Sequence, residues 1–154
     1  MPGARMAQVD AAAGYAGDLL PDEAWALLAR QPAAQLVDVR TTAEWNFVGL
    51  PDLSSLGRTV HLVEWQNFPS MALNPDFVAS TVQGLEAGGA GKETPVLLLC
   101  RSGARSRSAA IALTKAGYAQ AFNIAGGFEG DANAAGHRGV TNGWKATGLP
   151  WRQA

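Results

Sequence analysis

The stretch Pro95-Val96-Leu97-Leu98-Leu99-Cys100 constrains this chain more than any other. It is the most apolar stretch of the chain and shows no alternation of polar and apolar residues. Such a run reads as a strand covered on both faces, which is the habit of parallel sheets sandwiched between helices. It is the candidate central strand. Arg101-Ser102-Gly103-Ala104-Arg105-Ser106 follows it directly, and Ser106 to Tyr118 then carries Ala109, Ala110, Ile111, Leu113 and Thr114 in helical rhythm, with Gly117 as a C-terminal stop.

The rest of the chain repeats this alternation. Pro21 to Arg30 has Pro in the first turn, Asp22 and Glu23 behind it and Arg30 at the end, an order that suits the helix dipole, and Pro32 stops it. Gln35 to Arg40 and Thr59 to Val63 read as strands. Asn74-Pro75-Asp76-Phe77 opens a helix with Phe77, Val78, Val82 and Leu85 on its apolar face, ended by Gly88, Gly89 and Gly91. Ala121 to Ile124 is a further short strand. The expected fold is a three-layer α/β domain, a central mostly parallel β-sheet with helices on both faces. Residues 1–17, poor in large apolar side chains, read as a flexible arm; 18–154 read as one domain, with 129–142 an irregular loop insertion, either a surface excursion or a lid or partner contact near the site.

Composition removes several functions. At 154 residues and 47% hydrophobic content, the chain can build one real core. A net charge of -1 offers no general attraction to nucleic acid or to an anionic membrane, so neither is an expected partner. One cysteine and two histidines, His61 and His137, exclude an internal disulfide and fall short of a structural zinc site, and neither metal nor cofactor is expected. The first residues lack the plan of a signal peptide, and no stretch approaches the ~20 apolar residues of a membrane span. The expectation is a cytoplasmic protein.

Parallel α/β sheets bind ligands at the carboxyl ends of their strands, where Cys100 falls. A turn from strand to helix there aims backbone N–H groups inward, and the helix N-terminus adds partial positive charge. Gly103 permits backbone angles that a side chain resists. Arg101 and Arg105 place two charges beside the sulfur, which favours thiolate and is expected to bring the thiol below the free value of about 8.5. Ser102 and Ser106 offer hydroxyl donors. An isolated cysteine is ordinarily a small hydrophobe in the core. A structural cysteine, however, has no need of a glycine and two arginines within five residues.

This loop, of the form C-x-x-G-x-R after an apolar strand, resembles that of the rhodanese family. Three patches agree with it: Leu36-Val37-Asp38-Val39-Arg40 with Glu44-Trp45, Asn123-Ile124-Ala125-Gly126-Gly127, and Gly143-Trp144-Lys145-Ala146-Thr147-Gly148-Leu149-Pro150. Their order and spacing match over roughly residues 18–152. The resemblance implies a sulfurtransferase in which Cys100 takes sulfane sulfur from a small donor such as thiosulfate or polysulfide. It would hold that sulfur as a persulfide under the N–H groups of residues 101–105 and yield it to cyanide, a thiol or a protein thiol. Arg101 would attract an anionic donor, and Arg105 would brace the loop or touch the donor. Where many members carry Gly-His-Ile, this chain has Gly49-Leu50-Pro51.

Asp38, Arg40 and Glu44 are expected to support the site, with Arg40 paired to Glu44 or Asp38 to a loop arginine. Trp65, Trp144 and Trp151 read as core or rim aromatics. Two other readings stand beside the first. A non-catalytic rhodanese-like module would carry an unreactive thiol. A cysteine phosphatase, of pattern C-x-x-x-x-x-R, would need Arg at 106, where this chain has Ser.

Overall fold

The computed structural model describes residues 14–153. In chain order its elements are β1 (Gly17–Leu19), α1 (Pro21–Arg30), β2 (Gln35–Asp38), α2 (Thr42–Phe47), β3 (Leu50–Pro51), β4 (His61–Leu62), β5 (Gln66–Asn67), β6 (Ala72–Leu73), α3 (Phe77–Ala87), β7 (Val96–Leu99), α4 (Ala104–Lys115), β8 (Ala121–Ile124), α5 (Gly143–Thr147) and β9 (Trp151–Arg152). The central sheet has the order β1-β8-β7-β2-β4 and every neighbouring pair is parallel. The apolar run is therefore the middle strand, and all of β7 is buried. Two small antiparallel ladders flank the sheet, β3 with β9 and β5 with β6.

Alternation along β7 divides the core. Val96, Leu98 and Cys100 join Phe77, Leu85, Ala109 and Leu113 of α3 and α4 on one face; Leu97 and Leu99 join Leu27, Leu28 and Trp144 of α1 and α5 on the other. A strand buried on both sides cannot be amphipathic, which is why its sequence shows no period. Truncating Leu97 or Leu98 to Ala would cost about 2–5 kcal/mol.

Several boundaries differ from expectation. Residues 1–13 of the expected arm lie outside the described residues. Its last four are not an arm: Tyr15 and Ala16 are buried and Gly17 begins β1, whose three residues pair with β8. The strand expected over 59–63 narrows to His61–Leu62, because it lies at the sheet edge and pairs only through Val37 and Asp38. Asn74 makes a turn instead of a cap: its side-chain oxygen accepts from Asp76 N at 3.0 Å, and α3 begins at Phe77. The helix after the cysteine begins at Ala104, inside the loop.

Helix α2 was not anticipated, although its signal is present. Thr41 Oγ1 accepts from Glu44 N at 3.3 Å while Thr41 N donates to Glu44 Oε1 at 3.1 Å, the reciprocal capping of an S/T-x-x-E start. Glu64 Oε2 also accepts from Thr42 N at 2.8 Å. Together they fix α2 against the carboxyl edge of β2 and β4.

Candidate active site

Because all five strands run in one direction, their carboxyl ends share an edge, and Cys100 is the first residue beyond the central one. Its side chain is 1% exposed. Its Sγ accepts from Gly103 N at 3.1 Å and lies 3.2 Å from Ser106 Oγ. The chain turns back onto the sulfur through Gly103, whose φ of 118° lies in the region that favours glycine, and α4 starts at the next residue. The sulfur thus meets a backbone donor and the positive end of a twelve-residue helix.

The charged residues pair differently from expectation. Arg40 pairs with Asp38, and Glu44 pairs with the loop arginine. Arg40 Nε and Nη2 donate to Asp38 at 3.0 and 2.7 Å, both side chains being 0% exposed. Residues i and i+2 leaving a strand point to the same side, so the two meet without distortion. Arg40 Nη2 also donates to Gly49 O at 2.7 Å, and its guanidinium lies 4.2 Å from the centroid of Phe128. Arg105 Nη1 and Nη2 donate to Glu44 Oε1 and Oε2 at 2.7 and 2.9 Å.

Burial alone would raise the Glu44 carboxyl; the Arg105 guanidinium and the Thr41 donors outweigh it and hold the group below its usual range. Hydrogen bonding to Glu44 correspondingly raises Arg105 against the effect of burial, and the Cys100 and Asp38 charges act in the same direction. The pair ties Arg105, and with it the start of α4, to α2. Arg101 is exposed, and its carbonyl is pinned by Glu129 N at 3.0 Å and Gly130 N at 3.1 Å. Ala104 is exposed, while Ser102 lines a cavity of about 270 Å³ on the outer side of the loop.

The segment after β8 supports the loop from behind. Phe128 N donates to Cys100 O at 2.8 Å, and a Cβ on Gly127 would press on the Cys100 and Arg101 backbone, so only glycine lets the two chains approach. The segment 129–142 is tied at its base: Asn142 Oδ1 accepts from Asp131 N at 2.8 Å, and Gly139 N donates to Glu129 O at 2.6 Å. In place of the absent histidine, Leu50 and Pro51 pair with Arg152 and Trp151. Trp144 is fully buried, with Nε1 donating to Pro150 O at 2.7 Å, and Trp65 packs edge-on against Phe77.

Two residues were missed. Asn123 is 1% exposed, and its Oδ1 lies 2.5 Å from Ser106 Oγ. Its Nδ2 donates to Asp18 Oδ1 at 3.0 Å, and Tyr15 OH donates to the same oxygen at 2.9 Å. The available signal was an amide between Phe122 and Ile124 in a strand otherwise apolar. Asp18 carried none, since it stands 105 residues from Asn123 in sequence.

The comparisons agree with this architecture. A family model described as "Rhodanese-like domain" matches residues 20–134. Protein RC0915 of Rickettsia conorii is 36% identical over 130 residues, which are 84% of this chain and 92% of that protein. The crystal structure of Rv0390 from M. tuberculosis aligns with a TM-score of 0.80 at 50% identity, covering 91% of this chain and 99% of the other. The solution structure of the polysulfide-sulfur transferase homodimer from Wolinella succinogenes aligns with a TM-score of 0.55 at 23% identity, covering 99% and 90%. At that identity the last likeness speaks for the fold.

Proposed function

The chain belongs to the rhodanese-like domain family, and from that premise we propose that it is a sulfurtransferase working through a persulfide on Cys100. The observation that carries this reading is the setting of Cys100 Sγ. It stands at the carboxyl end of the central strand, beneath Gly103 N and at the head of α4, with an arginine-braced loop around it.

In the first half-reaction, the Cys100 thiolate attacks the outer sulfur of a donor. With thiosulfate, the S–S bond breaks and sulfite leaves with the bonding pair, so the negative charge of the thiolate passes to the persulfide. In the second, cyanide or a thiolate takes the outer sulfur and returns the pair to Cys100. One difficult transfer becomes two displacements, with ping-pong kinetics as the signature. Gly103 N and the helix terminus stabilise charge that develops on sulfur, and exposed Arg101 draws in an anionic donor. Cys100 is the only cysteine, so the acceptor comes from outside this chain. Thiosulfate or polysulfide as donor, cyanide or a thiol as acceptor, and a cytoplasmic setting rich in reduced thiols form parts of this proposal. Among the described residues no helix is long and apolar enough to cross a membrane.

The test is thiocyanate formation from thiosulfate and cyanide beside a Cys100→Ser control. Turnover that vanishes in the control supports the persulfide cycle. Absence of turnover, with no gain of one sulfur mass on Cys100 after thiosulfate or polysulfide, would instead favour a non-catalytic module, the reading that the burial of the sulfur suits best.

A further inference from the structure

We propose that Asn123, held in one orientation by Asp18, keeps the Ser106 hydroxyl hydrogen off the Cys100 sulfur, making Asn123 and Asp18 positioning residues for the reactivity of that sulfur.

The argument is a count of hydrogens along a line of contacts. Asp18 offers only acceptors when ionised, so the Asn123 group that faces it at 3.0 Å is the NH2. The Asn123 carbonyl is then turned to Ser106, 2.5 Å from its Oγ. Two oxygens at that separation need a hydrogen between them, and the Ser106 hydroxyl has the only one available. Ser106 therefore donates to Asn123 and presents a lone pair to Cys100 Sγ at 3.2 Å. This suits a protonated thiol, which donates to Ser106. It does not suit a thiolate, which is left with Gly103 N as its one donor among the described residues. Turning the Ser106 hydrogen to the thiolate would set two oxygen lone pairs against each other inside the protein, where Asn123 is 1% exposed.

A persulfide escapes this conflict, because its negative charge lies on the outer sulfur and Sγ becomes a neutral atom, singly bonded to Cβ and to that sulfur, with no need of the hydroxyl hydrogen. The device disfavours the bare thiolate relative to both the thiol and the sulfur-loaded form. It is anchored at the surface: exposed Asp18 lines a cavity together with Ser102, Gly103, Arg107 and Asn123, and also receives Tyr15 OH. Arg105 of α4 is the charge coupled to the Cys100 sulfur; it also feels Asp38 of β2 and is occupied by Glu44 of α2. Among the described residues, none of these three hydrogen-bonds to Ser106 or Asn123.

The meaning of the device rests on the sulfurtransferase reading, but its test reads the thiol directly. Iodoacetamide alkylation of Cys100 is followed at one neutral pH in the wild type, Asn123→Leu and Asp18→Ala, each also in a Ser106→Ala background. Freeing the Ser106 hydrogen to donate to sulfur raises the thiolate population by on the order of tenfold, and the accompanying loss of nucleophilicity trims the rate gain to about threefold or more. Both single variants are expected to react faster than wild type, and the gain is expected to vanish with Ser106→Ala. Rates equal to or below wild type in folded variants would overturn the proposal. So would a gain that persists without the Ser106 hydroxyl, since a loosened loop or a lost charge would then be its source. Asp18 is exposed, and Asp18→Ala removes the acceptor that orients the Asn123 amide, so this variant carries the test even if Asn123→Leu does not fold. If the alkylation pattern holds but wild type transfers no sulfur, the sulfurtransferase reading fails and the positioning stands; transfer without the pattern has the opposite meaning.

Discussion

The Glu44 carboxylate and the Arg105 guanidinium face each other as a two-pronged ion pair, at 2.7 and 2.9 Å, across the gap between α2 and the first turn of α4. Glu44 also caps α2 through Thr41, so one carboxylate fixes both a helix start and the far side of the cysteine loop. Glu44→Gln keeps the shape and removes the charge. It is expected to cost about 1–2 kcal/mol by denaturant midpoint, since the pair is only about one-fifth exposed, and to lower sulfur transfer with it. Arg105→Lys is expected to share the defect, because an ammonium cannot make the fork. Unchanged transfer in both variants would show that the loop holds its form without the brace.

The same pair gives the protein an acid-labile step. The folded Glu44 carboxyl lies below its ordinary value of 4.5, and burial opposes that shift while Arg105 and Thr41 produce it. On acidification the unfolded chain binds the proton first, so the contribution is complete above about pH 4.5 and drains away as pH falls through the lower folded value. Unfolding midpoints measured from pH 6 downward are expected to fall less steeply below pH 4.5 in Glu44→Gln than in wild type. Parallel curves would remove Glu44 from the account.

Asp38 and Arg40 answer to a different balance, because both are sealed from water. Arg40 Nη1 already has no hydrogen-bond partner among the described residues, and Asp38→Ala would leave the buried guanidinium without a counter-charge, with Gly49 O as its remaining acceptor. That is expected to cost about 3–5 kcal/mol, and transfer is expected to fall together with the folded fraction. Pairing Asp38→Ala with Arg40→Met is expected to recover much of the stability. A stable Asp38→Ala protein that has lost all transfer would move Asp38 from scaffold to chemistry.

These pairs mark where the sequence was legible and where it was not. Val96 to Leu99 announced a central strand because burial on both faces leaves no polar residue in the pattern, and Cys100 to Ser106 announced a site because chemistry was crowded into consecutive positions. The partnership of Glu44 with Arg105 spans 61 residues, and that of Asp18 with Asn123 spans 105; both depend on which strands become neighbours. The pairing of Arg40 with Asp38 was readable from the two-residue period of a strand and was nevertheless assigned to other partners. Strand β1 escaped because three residues, taken up by β8 at an edge, carry too little pattern to stand out from Ala- and Gly-rich surroundings.

Thr81 provides a case in which the native residue is not the most stable one. It sits on α3 facing the core, 1% exposed, and its Oγ1 has no hydrogen-bond partner among the described residues. A buried hydroxyl without a partner has given up its bond to water and gained nothing in return, a loss of about 1–3 kcal/mol on mutational scales. Thr81→Val replaces the hydroxyl by a methyl of nearly the same shape, so neither cavity nor overpacking is introduced, and both residues have similar helix propensity. The substitution is expected to leave sulfur transfer unchanged, since the Thr81 hydroxyl makes no hydrogen bond to the Cys100 loop, and to raise stability by up to about 1 kcal/mol in a denaturant titration. A clear destabilisation would mean that the hydroxyl is satisfied in solution, most simply by a buried water bridging it to a neighbouring backbone group.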